Sequence, residues 1–391
     1  MWKEALQQQD YIVNLRRALH QIPETGTELP ETQKLVAQEL DKLGISYTKN
    51  TGDSGIIGEI KGGKPGKTIL LRADYDALPI TEATGLPFTS QHEGCMHACG
   101  HDAHAAMLLG ALKILNKNKE QLAGNVRFVF QTGEEVCKGA DIAIKEGVLK
   151  NVDAIFGTHI GSIINPKIPA GKLIVTPNCC MASFDRFIIK VKGIGCHGST
   201  PEKGVDPINI ASHIVISLQE VLAREIAAPK PGVLTIGMFQ AGNAYNAIPS
   251  EVHIEGTIRA LEEDVRQYLA KRIEEISTGV AATFRGTAEC TMIWGAPPVI
   301  NTPAMAEFAA QAAAKVLGED QLITHVDAPN MAGEDFAYYL AQVPGCFMFL
   351  SSANPAKHTD IPHHNPKFDV DEDVLSSGSA VFVSIAEDFL K

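Results

Sequence analysis

Four short stretches of this chain concentrate side chains that can hold a metal ion or move a proton. The densest is Met96-His97-Ala98-Cys99-Gly100-His101-Asp102-Ala103-His104. A thiol and an imidazole separated by one residue, just ahead of an apolar helical run, can meet on one ion. Thiolate with neutral imidazole suits zinc and similar divalent metals. The plainer alternative is a polar helix start with a buried cysteine. The second stretch is the apolar run Val126–Phe130 followed by Gln131-Thr132-Gly133-Glu134-Glu135. Paired carboxylates at a strand end lie where α/β proteins place ligand sites. One can ligate a metal while its neighbour polarises an attacking water. The plainer alternative is a solvated loop pair. Phe156-Gly157-Thr158-His159 ends another apolar run, and a lone histidine there carries little weight by itself. His358-Thr359-Asp360-Ile361-Pro362-His363-His364-Asn365-Pro366 gathers three histidines in one late segment, with a surface loop as the alternative. Together, Cys99, His101, Glu135, His159 and His364 offer five donors. That number suits two ions, about 3.5 Å apart, that make a hydroxide near neutral pH and polarise a carbonyl.

Such a constellation needs a rigid frame, and the surrounding pattern supplies one. Val36, Leu40 and Leu43 recur at helical spacing within Glu31–Leu43, and Gly44 stops the run. Ile56–Ile60 and Thr68–Leu71 flank Lys61-Gly62-Gly63-Lys64-Pro65-Gly66-Lys67, which predicts a hairpin. Ala105, Leu108, Leu109, Leu112 and Leu115 mark a buried helix, and Val126–Phe130 and Ala154–Phe156 mark buried strands. This is an α/β sheet domain. The middle of the chain changes rhythm. Phe187, Ile189 and Val191 alternate; so do Leu234, Ile236 and Met238, and Val252, Ile254 and Ile258. Helical spacing appears at Ala211, Val215, Leu218 and Leu222, and again at Val265, Leu269, Ile273 and Ile276. The order strand, helix, strand, strand, helix, strand is that of a ferredoxin-like unit. We therefore expect a catalytic domain formed by residues 1–182 and 296–391, interrupted by an inserted domain over 183–295.

The 391-residue length exceeds what one hydrophobic core serves and agrees with two domains. The net charge of −12, with no basic block, argues against nucleic acid and anionic membranes as partners. No apolar run approaches a membrane span, and the first ten residues lack an apolar signal core. Eight cysteines scattered over so long a chain predict thiols rather than a disulfide framework, and with them a cytoplasmic location.

Several of these motifs resemble one family in order and over nearly the whole chain. They are Leu71-Arg72-Ala73-Asp74-Tyr75-Asp76-Ala77-Leu78-Pro79, Met96–His104, the Glu134–Glu135 pair, Gly333-Glu334-Asp335-Phe336 and His364-Asn365-Pro366. The chain is similar to the metal-dependent aminoacylases, hippurate hydrolases and indoleacetyl-amino-acid hydrolases of the aminoacylase/carboxypeptidase superfamily. The resemblance implies a zinc-exopeptidase-like mixed-sheet catalytic domain with an inserted ferredoxin-like α+β lid and dimerisation domain. It implies two divalent ions, zinc first with manganese, cobalt or nickel as alternatives, on Cys99, His101, Glu135, His159 and His364, with Cys99 bridging. Glu134 would be the general base and acid, and Asp74 a carboxylate beside the metals. In the insertion, Gly195-Cys196-His197-Gly198-Ser199-Thr200-Pro201, Asn246-Ala247-Ile248-Pro249 and Arg259 look like the family's lid residues. His197 would reach the partner subunit's site in a homodimer, or a tetramer built from dimers, and stabilise the oxyanion. Asn246 and Arg259 would hold the substrate. The implied reaction is deacylation of a small N-acyl amino acid. An exopeptidase on the same scaffold is the first alternative and a non-catalytic metal or amino-acid binding protein the remote one. The chain departs from the family pattern at Thr132-Gly133 and Val136-Cys137-Lys138, around the carboxylate pair. This leaves the acyl preference open. Catalysis by Cys137 finds no support, because no histidine lies near it in sequence.

Overall fold

The computed structural model describes residues 1–327 and 329–391. The chain forms two units. One comprises Met1–Cys180, Val299–Ala328 and Asp335–Lys391, the other Met181–Pro298 and Pro329–Glu334.

Among the described residues, eight strands form the sheet of the larger unit. In order across it they are Tyr47–Lys49, Ile56–Lys61, Ala123–Gln131, Lys64–Asp74, Ala154–Gly161, Gly345–Ser351, Leu173–Ile174 and Leu322–Ile323. Lys64–Asp74, Ala123–Gln131, Ala154–Gly161 and Gly345–Ser351 run parallel to one another. Their carboxyl ends therefore share one edge, where an open α/β sheet leaves room for a ligand. Ala154–Gly161 is buried at every position, which is why its sequence reads as a continuous apolar run rather than an alternation. The helix His101–Lys117 is buried along nearly its whole length, as its all-round apolar sequence demands. It packs against Gln9–His20 and the last helix, Leu375–Phe389.

The expected hairpin across residues 61–67 does not form. Ile56–Lys61 pairs antiparallel with Ala123–Gln131, and Lys64–Asp74 pairs parallel with that same strand on its other side. Ala123–Gln131 thus separates the two supposed partners. Val126, Phe128 and Phe130 are fully buried there, and a central position covers them better than an edge would.

The smaller unit is a ferredoxin-like arrangement. Its four strands lie in the order Gly232–Ala241, Glu251–Ala260, Asp185–Lys192 and Thr287–Ile293, all antiparallel. Helices Pro207–Glu220 and Glu263–Thr283 bury Ile210, Ile214, Leu218, Leu269 and Ile273 in a core with Phe187, Ile189, Val252, Ile254 and Ile258. The alternation Leu234, Ile236, Met238 breaks at a bulge between Ile236 and Met238. This turns Met238 outward, to 40% exposure. A separate ribbon pairs Cys196–His197 with Ala247–Ile248. No helix among the described residues is long and apolar enough to cross a membrane.

Candidate active site

The candidate residues of the larger unit gather at the shared carboxyl edge of the parallel strands. Asp74 is the last residue of Lys64–Asp74, His159 lies near the end of Ala154–Gly161, and Glu134 and Glu135 follow Ala123–Gln131 after Thr132 and Gly133. His101 opens the buried helix, preceded by Gly100 at a φ of 91°. That conformation favours glycine, and a Cβ there would stand 2.8 Å from the Ile160 side chain. Gly100 therefore lets the chain turn tightly enough to present Cys99 and His101 together.

The ring orientations of His101 and His159 are set by main-chain carbonyls. His159 donates Nδ1–H to the Ile160 carbonyl at 2.8 Å, which leaves Nε2 as the lone-pair end, 3.5 Å from Cys99 Sγ. His101 donates Nδ1–H to the Asp76 carbonyl at 2.9 Å. Its Nε2 is buried and has no hydrogen-bond partner among the described residues, although Asp74 and Glu135 carboxylate oxygens stand 3.6 and 3.9 Å away. The His159 lone pair held toward the thiol is how metal-ligating imidazoles are prepared. At His101 burial lowers the pKa, but Asp74, Asp76 and Glu135 outweigh it and raise it to about 10, so a metal entering there displaces the Nε2 proton. Burial, with His104, His363 and His101 nearby, keeps the His159 pKa well below the usual histidine value, so its ring is neutral as a ligand must be. His364 Nε2 stands 3.3 Å from Glu135 Oε1, and Cys99, Glu135 and His364 bring donor atoms within 4.8 Å of one another. His364 takes a left-handed φ of 62°, and its N–H bonds the Ala98 carbonyl at 2.8 Å. A non-glycine residue held there by a tie to the cysteine loop fits a positioned ligand. His101, Glu134 and Glu135 form a further group of close donors. Sulfur, imidazole and carboxylate at these separations fit zinc or a similar borderline divalent ion.

Sequence reasoning does not single out three side chains that the structure makes prominent. Asp76 is buried, and its two carboxylate oxygens accept the main-chain N–H groups of Glu134 and Glu135, each at 3.2 Å. One carboxylate thus holds the backbone of both members of the pair. Its place two residues after Asp74 was the available signal. His104 has both nitrogens in use: Nδ1–H donates to Asp74 at 2.5 Å, and Nε2 accepts from the Ile160 N–H at 2.8 Å. It is a bracket between the site strands rather than a ligand. His363 lies against Cys99 and His159.

Asp74 itself is fully buried. Arg72 donates to it at 2.8 Å, and the same guanidinium reaches Asp335 at 3.0 Å and Gln131 at 2.9 Å. Burial pushes the Asp74 pKa up, but Arg72, His101 and His104 outweigh it and hold the carboxyl well below the usual carboxylate range. Asp74 is therefore an anion braced beside His101. Asp102, the neighbour of His101, is anchored by Arg16 and His20, at 2.8 and 2.7 Å. Arg16 is buried and also reaches Asp369 at 2.7 Å and Glu372 at 3.2 Å.

In the smaller unit, His197 and Asn246 come together. His197 pairs with Ala247 in the ribbon, and the Asn246 carbonyl accepts the Gly198 N–H at 2.8 Å. His197 Nδ1 accepts the Ser199 N–H at 3.1 Å, so the neutral ring carries its proton on the exposed Nε2, as an outward-facing donor. Arg259 lies in the other sheet of this unit, on Glu251–Ala260 opposite Val233. Its guanidinium sits 5.4 Å from the Phe184 ring centroid and makes no hydrogen bond or ion pair among the described residues. Burial lowers its pKa, although not enough to discharge a guanidinium. A half-buried, unpaired arginine stacked on an aromatic ring is prepared for an anion.

Comparison with known proteins agrees with this geometry. The chain is 38% identical over 370 residues to an N-acetyl-L-cysteine deacetylase of Bacillus subtilis, covering 94% of this chain and 85% of the relative. It is 37% identical over 385 residues to thermostable carboxypeptidase 1 of Saccharolobus solfataricus, covering 97% and 96%. Among solved structures, a dinuclear metal-binding peptidase of the M20 family from Bacillus subtilis superposes with a TM-score of 0.84 at 36% identity, over 98% of each chain. The model of peptidase family M20/M25/M40 matches residues 70–388, a span that contains every strand-end residue of the site, and the chain belongs to that family as a hydrolase of amide bonds.

Proposed function

We propose that the chain deacylates N-acyl amino acids, releasing a carboxylic acid and a free amino acid. The observation that carries this is the Glu134–Glu135 pair, tied by Asp76 beside Cys99, His101, His159 and His364 at the carboxyl edge of the parallel strands. Its similarity to an N-acetyl-L-cysteine deacetylase supports the substrate class. Cys99, His101, Glu135, His159 and His364 would hold two divalent ions, with Cys99 shared and zinc the first choice. Those ions, when bound, supply an acidified water and polarise the scissile carbonyl. Glu134, only 9% exposed, takes the water's proton and returns it to the leaving nitrogen, so that the amino acid departs as a neutral amine. The oxyanion donor is His197, whose Nε2–H we assign to the partner subunit's site in a homodimer. A cytoplasmic location belongs to the same reading.

The second reading, an exopeptidase, is favoured by the likeness to a thermostable carboxypeptidase. Rates on a panel of N-acetyl, N-benzoyl and dipeptide substrates separate the two. Faster cleavage of N-acyl amino acids than of any dipeptide is expected, and the reverse order would assign the chain as a peptidase.

We assign Arg259, with Asn246, to the substrate's α-carboxylate. Arg259→Lys should cost about 1.5–3 kcal/mol in kcat/KM, the scale of a charge-assisted hydrogen bond. Wild type given the carboxamide analogue should show the same loss. Mutation and analogue combined should cost little more than either alone, because both remove one interaction. Additive losses would mean that Arg259 serves another purpose.

A further inference from the structure

His363 is set into the site by its own niche. Gly161, at a φ of 122°, lies beneath the ring, and a Cβ at that position would stand 2.2 Å from His363 Nε2. Only a residue without a side chain leaves room for the imidazole. Phe368 covers another side of the ring, with centroids 4.6 Å apart. The ring is thereby aimed so that Nδ1 lies 3.5 Å from Cys99 Sγ. His159 Nε2 lies at the same 3.5 Å from that sulfur. An ion with tetrahedral bonds of about 2.3 Å to sulfur and about 2.0 Å to nitrogen places those donors about 3.5 Å apart. Cys99, His159 and His363 keep their donor atoms within 4.8 Å of one another, as do Cys99, Glu135 and His364. The backbone explains how adjacent histidines serve different groups. His364 is held in its left-handed turn by the Ala98 carbonyl, and its ring goes to Glu135 while that of His363 goes to Cys99.

We infer that His363 is a sixth protein donor to the metal pair, binding through Nδ1 the ion that Cys99 and His159 hold. The inference rests on the dimetal reading above. It makes the two sites chemically unequal. One triad offers sulfur and two imidazoles, the other sulfur, imidazole and carboxylate. The softer triad selects zinc or cobalt over manganese and fills first.

The test begins with wild-type protein. His101 and His159 commit Nδ1–H to carbonyls, so both present Nε2 to a metal. His363 alone among these three presents Nδ1. Long-range proton–nitrogen spectra of histidine-labelled protein during zinc titration should therefore gain one imidazole ligated at Nδ1 and protonated at Nε2. If no imidazole becomes ligated at Nδ1 once two zinc ions are bound per chain, His363 is only a hydrogen-bond partner of Cys99 Sγ and the inference is wrong. The second arm uses His363→Leu and His363→Asn with cobalt. At least ~10-fold weaker binding of one ion is expected, with altered cobalt absorption and the other ion unaffected. Wild-type affinity and spectrum in variants that fold would overturn it. Failure of wild-type protein to bind two ions would instead remove the dimetal reading itself, so the two failures are distinguishable.

Discussion

Glu134→Gln should retain both metal ions and lose at least ~10²-fold in kcat, the low end of what a general base contributes. The amide is nearly isosteric with the carboxylate but cannot accept the water's proton. The main-chain N–H of residue 134 still has Asp76 to bind, so the loop should keep its shape. Glu135→Gln should behave differently, lowering metal occupancy, because Glu135 groups with Cys99 and His364. Kinetics and metal analysis on the two purified variants make the comparison. Reversed phenotypes would exchange the roles of base and ligand within the pair. The same variant serves a mixing experiment. His197→Ala and Glu134→Gln subunits, each inactive alone, should regain part of the activity when exchanged, since a mixed dimer holds one intact site. No recovery after confirmed exchange would count against His197 acting across the dimer.

Arg16→Met should destabilise the protein by about 3–5 kcal/mol, the usual cost of leaving buried charge without its partner. Arg16 has no exposed surface, and the substitution leaves buried Asp102 with His20 alone and Asp369 without its arginine, while Glu372 keeps Arg17. Burial would raise the Asp102 pKa, but Arg16 and His20 outweigh it and hold the carboxyl far below its ordinary value. A depressed carboxylate contributes stability above its unfolded pKa, about 3.9, and that stability is lost as pH falls toward the folded pKa. The gap between wild type and variant should therefore be largest near neutral pH and narrow below about pH 4. Urea unfolding at several pH values measures it. A gap under ~1 kcal/mol at neutral pH would mean that the cluster does not brace the fold.

Much of this was legible in the residues. The buried strands announced themselves as apolar runs, and the small unit's order of elements followed from a change of period between helix and strand. Pairing was not legible. Periodicity tells which faces are buried but not which strand lies alongside, so Ile56–Lys61 and Lys64–Asp74 looked like a hairpin, whereas Ala123–Gln131 lies between them. The bulge before Met238 was equally hidden, since one extra residue shifts the side-chain alternation without leaving a mark on composition. In the site, residue types pointed to metal and proton chemistry, but only the fold decides which atom each side chain has free. His104 looks as good a ligand as His101 until both of its nitrogens are found occupied. Asp76 looks like a duplicate of Asp74 until its oxygens are seen under the Glu134–Glu135 backbone. Arg16 and Asp102 stand far apart in sequence, and no local pattern joins them.

If two divalent ions on this donor set drive amide hydrolysis of N-acyl amino acids, turnover must follow metal content. Turnover of an N-acyl amino acid library can be followed by mass spectrometry while metal is stripped and then returned in measured equivalents. Metal-free protein should show no turnover, and zinc, cobalt or manganese should restore it to a level that saturates at two ions per chain. Full activity in protein shown to contain no metal would refute the dimetal mechanism.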